Sequence, residues 1–406
     1  MSQKVNLYLN TKQYRFNMHQ LPILLATIAC VFAGTPLQQL ASGNQRDSAN
    51  LYRGVARAST GNLIFCPVSA EIVLSLLTEG AAGPTKTELI EGLSLPPNDA
   101  DRRSAFSELT AELNQNSSSK LLSANRIFIA PAFQIERSFE DIAVSDYRAG
   151  IENINFADSS AAAHTINQWV EDHTNNRIQN LISPDSLSGA TRMILVNTLY
   201  LKGNWARQFK AYLTQPGPFF TSAENSTSVD MMHAQETYRY KHCNSLKAKF
   251  LKMDFEDRRI SMTFVLPDAK DGLGALENRL EDVLAVNVTD NQRVSVTLPR
   301  FSIQSSMDLK PILQQNGIRR VFDPSQANLT GISSSEGLYV DFVVQKAWIN
   351  VTETGVEAAA ATAVGASRNL FTPPPNLMFI ADHPFIFFIR HASSNVLLFL
   401  GRYSNL

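Results

Sequence analysis

Few residues in this chain are of types and spacings that could do covalent chemistry. His242 adjoins Cys243, but neighbours in an extended chain point to opposite faces, so the two make neither a thiolate–imidazole couple nor a metal site. His383 stands before Pro384 and reads as a hydrogen-bonded turn residue rather than a general base. There is no G-x-S-x-G elbow and no H-E-x-x-H. Gly272 and Gly274 begin a G-x-G, but Glu277 takes the place of the third glycine of a dinucleotide fingerprint. The three cysteines include no C-x-x-C, so zinc is not indicated. The pattern argues against an enzyme, and no metal and no cofactor is called for.

The informative stretch is Gln345 to Pro384. Trp348, Ile349 and Val351 are apolar and favour a strand. A Thr-Gly step interrupts it, the alanines Ala358 to Ala361 follow, and a Pro-rich turn region closes it. Alanine also favours a short surface helix here, yet alternation says more. In an extended chain Val356, Ala358, Ala360, Thr362 and Val364 share one face, all small or β-branched. Glu357, Ala359, Ala361, Ala363 and Gly365 share the other, which holds the only charge. Such a segment can lie exposed as a loop and can also slot between two strands without burying a charge on its apolar face.

The elements around it fit an α+β fold. Helices are expected at Ser48–Ala58, from Pro67 along the stripe Val68, Ile72, Val73, Leu76 and Leu77, and over Phe106 to Leu113. Thr85 and Glu88 have capping-box spacing ahead of a further short helix. Arg192 to Leu201 is a nearly unbroken apolar run, as expected of a central strand covered on both faces. Residues 260–264 and 294–298 alternate as half-buried strands. No linker or repeat divides the chain.

With 406 residues, 44% of them hydrophobic, the chain can bury a large core. Its formal charge of −1 invites neither nucleic acid nor an acidic membrane surface. Leu21 to Ala33 is too short to span a bilayer but suits a secretory signal, with Met18 the more ordinary initiator. The expected organisation is a signal peptide over 1–33, a short extension over 34–48 and one domain over 49–406. Sequons at Asn116, Asn225, Asn287 and Asn328 are glycosylation candidates; a fifth, Asn350, sits in the strand before the loop. Cys66 and Cys243 are expected as free thiols.

ETGVEAAAATA resembles the hinge of the reactive-centre loop of serpins, and FIADHPFIFFI, Phe379 to Ile389, resembles the C-terminal signature of that family. NLIFCPVSAEIVLSLLTEGAAGPT, VNTLYLKGNW, LPRFSI, DLKPILQQNGI and LTGI also stand where a serpin has them, so the resemblance covers roughly Ala49 to Leu406. It implies helices packed on a large mixed central sheet with two smaller sheets and an exposed loop over about 353–378. The hinge would comprise Glu353, Gly355, Val356, Glu357, Ala358, Ala359, Ala360, Ala361 and Thr362. Trp205 would mark where the loop enters the sheet, with Arg300 and Glu353 pairing across that point. Asn197 and Ser69 match polar residues of the shutter, where the sheet parts. Cys66 stands where a serine is usual, and Gln345 where many members carry histidine. Gln345 can still bridge strands, since it both donates and accepts.

The implied activity is a suicide trap for an extracellular serine protease, by a monomer. The family's usual interval from Glu353 puts the scissile residue at Asn369, whereas Arg368, one step earlier, is what a trypsin-like pocket selects; both remain open. Arg102, Arg103 and Lys120 are too few for a heparin site. A non-inhibitory carrier or storage protein of the same fold is the alternative, disfavoured by the uncharged inserting face. The hinge is expected to be exposed before cleavage.

Overall fold

The computed structural model describes residues 34–115, 117–222, 224–357 and 377–404. In chain order the strands begin with β1 (Leu63–Phe65), β2 (Lys120–Ile129), β3 (Gly150–Asn153), β4 (Met193–Asn204) and β5 (Gln215–Phe220). There follow β6 (Ser226–Cys243), β7 (Ala248–Asp254), β8 (Ile260–Pro267), β9 (Asn291–Pro299) and β10 (Phe301–Asp308). The last are β11 (Phe342–Val351), β12 (Gly355–Val356), β13 (Leu377–Ile380), β14 (Phe385–His391) and β15 (Leu397–Tyr403).

Two sheets result. The first runs β10-β11-β12-β4-β2-β3, with β11 also pairing β4 directly. Its centre is β4, where every residue from Met193 to Leu201 is buried, as the apolar run requires. The second runs β1-β15-β14-β8-β7-β6-β9-β13, with β5 on β6. The two smaller sheets implied by the resemblance share β6, whose 18 residues pass through both and join them by hydrogen bonds. The apolar helix Pro67–Gly80 packs against β2, β4 and β15 and so lies between the sheets. Among the described residues no helix is long and apolar enough to cross a membrane.

Two local expectations are corrected. The first helix spans Pro36–Ala58, not Ser48–Ala58: Thr35 caps it in a capping box with Gln38, and Leu37 and Leu40 are buried. The stretch read as an extension is therefore part of the core. The helix near Thr85 spans Gly83–Gly92, because Pro84 suits its first turn. Thr85 then sits inside it, donating to Gln326 O and accepting from Asn328 N, while Glu88 accepts from the backbone of Arg319 and Arg320.

The extended first helix carries polar residues inward. Asn44 donates to Glu71 Oε2 at 2.9 Å and accepts from Leu397 N at 2.7 Å. Ser94 donates to Asp47 Oδ1 at 2.9 Å, and Asp47 Oδ2 is buried without a partner. Burial pushes the Asp47 carboxyl up to about 7, with Ser94 and Arg46 opposing, and pushes Glu71 up as well. A carboxyl raised on folding stabilises most below its unfolded pKa and loses that contribution as pH climbs to the folded value. Asp47→Asn is therefore expected to melt higher than the parent at pH 8, with the advantage shrinking steadily toward pH 4; thermal unfolding at a series of pH values reads this out.

Candidate functional site

The seam between β4 and β11 is parallel, with Phe342 to Ala347 registered on Ile194 to Leu199. Its polar lock is centred on Gln345, fully buried. Gln345 Nε2 donates to Asn197 Oδ1 and to Cys66 O, both at 2.7 Å, and Gln345 Oε1 accepts from Cys66 N at 2.9 Å. One side chain thus ties β11 to β4 and both to the start of helix Pro67–Gly80. Cys66 contributes its backbone here and not its thiol, which burial holds well above its usual pKa. Ser69 Oγ donates to Asn125 Oδ1 on β2 at 3.3 Å; Asn125, which sequence reasoning missed, also donates to Ser123 Oγ.

Above Ala347 and Leu199 the two strands part, and the hinge occupies the gap. The chain turns at Thr352–Gly355, where Thr352 N and Oγ1 both donate to Gly355 O. Val356 then pairs with Val351 on one side and Gly203 on the other, antiparallel to both strands. The expectation of an exposed hinge is therefore corrected at its start: Val356 is 0% exposed and lies between the two strands. A Cβ on Gly355 would lie 2.0 Å from Gly203 O, so only glycine fits that approach.

Trp205 fixes the turn from beneath. Its indole Nε1 donates to Thr352 O at 3.0 Å, its backbone N donates to Thr354 O at 2.9 Å, and its ring lies 4.8 Å from that of Phe255. Phe209 N donates to Glu353 O. The expected pairing of Arg300 with Glu353 is not formed. Glu353 Oε1 accepts instead from Thr214 Oγ1 at 2.8 Å, while Arg300 is exposed.

Glu357 points to the other side, at φ 49°, and pairs with Arg177 at 2.5 Å. Burial raises its carboxyl, with Arg177 opposing. Arg177 belongs to the segment after helix Ser159–His173, which straps the seam: Lys346 Nζ donates to Gln179 O at 2.5 Å, and the Arg177 guanidinium lies 5.4 Å from the centre of the Trp348 ring. Neither Arg177 nor Thr214 carried a sequence signal, because each acts only through tertiary proximity.

Ala358, Ala359, Ala360, Ala361 and Thr362, the candidate scissile residues Arg368 and Asn369, and Asn116 lie outside the described residues. Asn225 and Asn287 are exposed, and Asn328 is half-buried with its Oδ1 accepting from Thr330. His242 and Cys243 diverge to Asp268 and Ser245, and His383 bonds Asp382 and Pro267 O. Cys66 and Cys243 are both free. Arg102 is buried on Glu79 and Asp99. Among the described residues no cluster of His, Cys, Asp or Glu could hold a metal ion.

A protein-family model described as "Serpin (serine protease inhibitor)" matches residues 42–406. Alaserpin of Manduca sexta is 34% identical over 378 residues, covering 89% of this chain and 96% of its own. The crystal structure of Serpin48, described as a highly specific serpin in the insect Tenebrio molitor, superposes with a TM-score of 0.85 at 33% identity, covering 91% of this chain and 98% of its own. Human thyroxine-binding globulin, solved with its ligand, gives a TM-score of 0.82 at 26% identity, covering 91% and 99%.

Gly355→Ala is expected to expel Gly355–Val356 from the gap, because its Cβ would meet the β4 backbone. Hydrogen exchange at the amides of Trp205 and Glu357, bonded to Thr354 O and Asn350 O, should accelerate at least tenfold. Unchanged protection there would show that the hinge does not depend on that contact.

Proposed function

The chain belongs to the serpin family of serine protease inhibitors, and from that premise we propose that it is a secreted suicide substrate for a trypsin-like protease. The observation that carries this reading is the hinge. Val356 already lies between β11 and β4, and the residues following it, Ala358, Ala360, Thr362 and Val364, carry no charge on the face that would follow it inward. Cleavage at Arg368–Asn369 supplies the free end. The protease serine oxygen bonds to the Arg368 carbonyl carbon, the amide C–N bond breaks, and Asn369 leaves as an amine carrying the proton. Insertion of the new end then competes with hydrolysis of the ester.

The energetics favour insertion once the end is free. The strand must prise apart six register pairs and the Gln345–Asn197 bond. Both edges regain partners on the new strand, which adds roughly ten residues of ladder at on the order of 1 kcal/mol each. A gain on the order of 10 kcal/mol matches the stability of a whole domain. Secretion rests on the apolar stretch Leu21–Ala33 and is compatible with exposed sequons at Asn225 and Asn287; secreted material should begin near Gly34 by mass spectrometry.

A second reading, a small-molecule carrier, draws on the likeness to thyroxine-binding globulin. Complex formation separates the two. The wild type should hold a trypsin-like protease in an SDS-stable complex, Arg368→Ala should hold none while folding normally, and a wild type that forms no such complex would favour the carrier. Val356→Arg should be cleaved at the same bond but release the protease active, since a buried unpaired guanidinium costs several kcal/mol and each ~1.4 kcal/mol slows insertion about tenfold. Because Val356 is buried before cleavage, the same variant should also loosen the uncleaved hinge.

A further inference from the structure

Strand β6 changes partners at Arg239, which registers on Lys252 of β7 and on Asn291 of β9. Beyond that point β6 leaves β7, and Ala206 N takes Asp254 O on the freed edge of β7. A cavity of about 650 Å³ opens at this fork, within the range of sites that hold small ligands. Register puts Arg239 and Lys252 in one row across the sheet and Asp254, Ser261 and Arg390 in the next, so their side chains share a face.

The charges on that face do not balance. Arg207, Arg239, Lys252, Arg258 and Arg390 line the cavity against the single carboxylate of Asp254. Asp254 is engaged by Arg239, and Arg207 by Glu236. Lys252 has no hydrogen bond or ion pair among the described residues, and burial followed by the nearby Arg239 lowers its pKa, with Asp254 opposing. Arg390 reaches Leu284 O and Gln45 through its terminal nitrogens but meets no carboxylate, and its Nε is buried without a partner. Tyr238, next to Arg239 on β6, alternates to the other face, with its hydroxyl buried near Glu236 and Arg207. Five cations around one carboxylate, with Lys252 and Arg390 bonded to no acidic group, leave an excess of positive charge that an anion with several oxygens would satisfy.

We propose that this cavity binds a compact free polyanion of the diphosphate class, with Lys252, Arg239 and Arg390 as counter-charges. The enclosure between strands favours a small molecule over a long polymer, which prefers an open track. The site is separate from the loop and holds whether or not the chain traps a protease. It lies one hydrogen bond from the loop's insertion point, since Ala206 follows Trp205 directly.

Calorimetric titration of the full secreted chain with inorganic pyrophosphate tests the proposal, with inorganic phosphate and a heparin hexasaccharide as separate arms. Saturable one-to-one binding of pyrophosphate is expected, tighter than phosphate. Lys252→Gln should weaken it about tenfold or more. Lys270→Gln, which removes a charge outside the cavity, should leave it within twofold. Lys252→Gln should melt no lower than the parent without ligand, because it removes a cation that has no partner, so lost affinity is not lost folding. The proposal is overturned if pyrophosphate does not saturate, if Lys252→Gln and Lys270→Gln weaken it equally, or if only the hexasaccharide binds.

Discussion

The pairing of β4 with β11 is the interaction on which the rest of this structure depends. It is a parallel ladder in the middle of a sheet, held by six register pairs and one buried glutamine. A parallel pair is slightly less stable per residue than an antiparallel one. β12 enters antiparallel to both strands, so a strand that continued it would exchange one parallel ladder for two antiparallel ladders. The fold thus leaves that exchange unmade at its centre.

What holds the seam shut matters as much as what could open it. The Gln345 bonds reach one acceptor on β4 and two backbone groups at the start of helix Pro67–Gly80, all fully buried. Losing the side chain would strand those partners at about 1–3 kcal/mol each. Across the outer face the strap through Gln179 and Arg177 adds contacts to Lys346 and Trp348. Any strand lengthening β12 downward must displace both the lock and the strap, which places the barrier in a few named residues.

Much of this was legible in the sequence, for identifiable reasons. The burial of β4 follows from an apolar run, and the alternation after Gly355 marks Val356 as an inward residue, which is buried; the later positions of that face, Ala358 to Val364, lie outside the described residues. Gln345, Asn197 and Trp205 were marked by resemblance and stand at the seam. Three things were not legible. The first helix begins at Pro36 because Thr35 and Gln38 cap it, but its polar run Asn44, Asp47 and Ser48 reads as surface until Glu71, Ser94 and Leu397 are seen to receive it. Asn125 and Arg177 act only across the fold. Arg300 and Glu353 are opposite charges that the resemblance pairs, yet Glu353 takes Thr214, a partner that only the fold brings near.

The docked hinge sets a balance whose terms can be ranked. Full burial of Val356 contributes about 1.5–3 kcal/mol toward docking. Opposing it, Glu357 holds a left-handed φ of 49°, which costs on the order of 1 kcal/mol for a side-chain-bearing residue, and leaves Oε2 buried without a partner. Its ion pair with Arg177 offsets little, because the arginine is 52% exposed and such pairs are worth under ~1 kcal/mol. The valine therefore docks the hinge, against the cost that the glutamate imposes one residue later. Docking of Gly355–Val356 thus makes the costly first pairing of any strand that would enter this seam. It also makes the docked state sensitive to what presses on Gly203 and Trp205 from below, where the segment Trp205–Phe209 is hydrogen-bonded to the turn at three points.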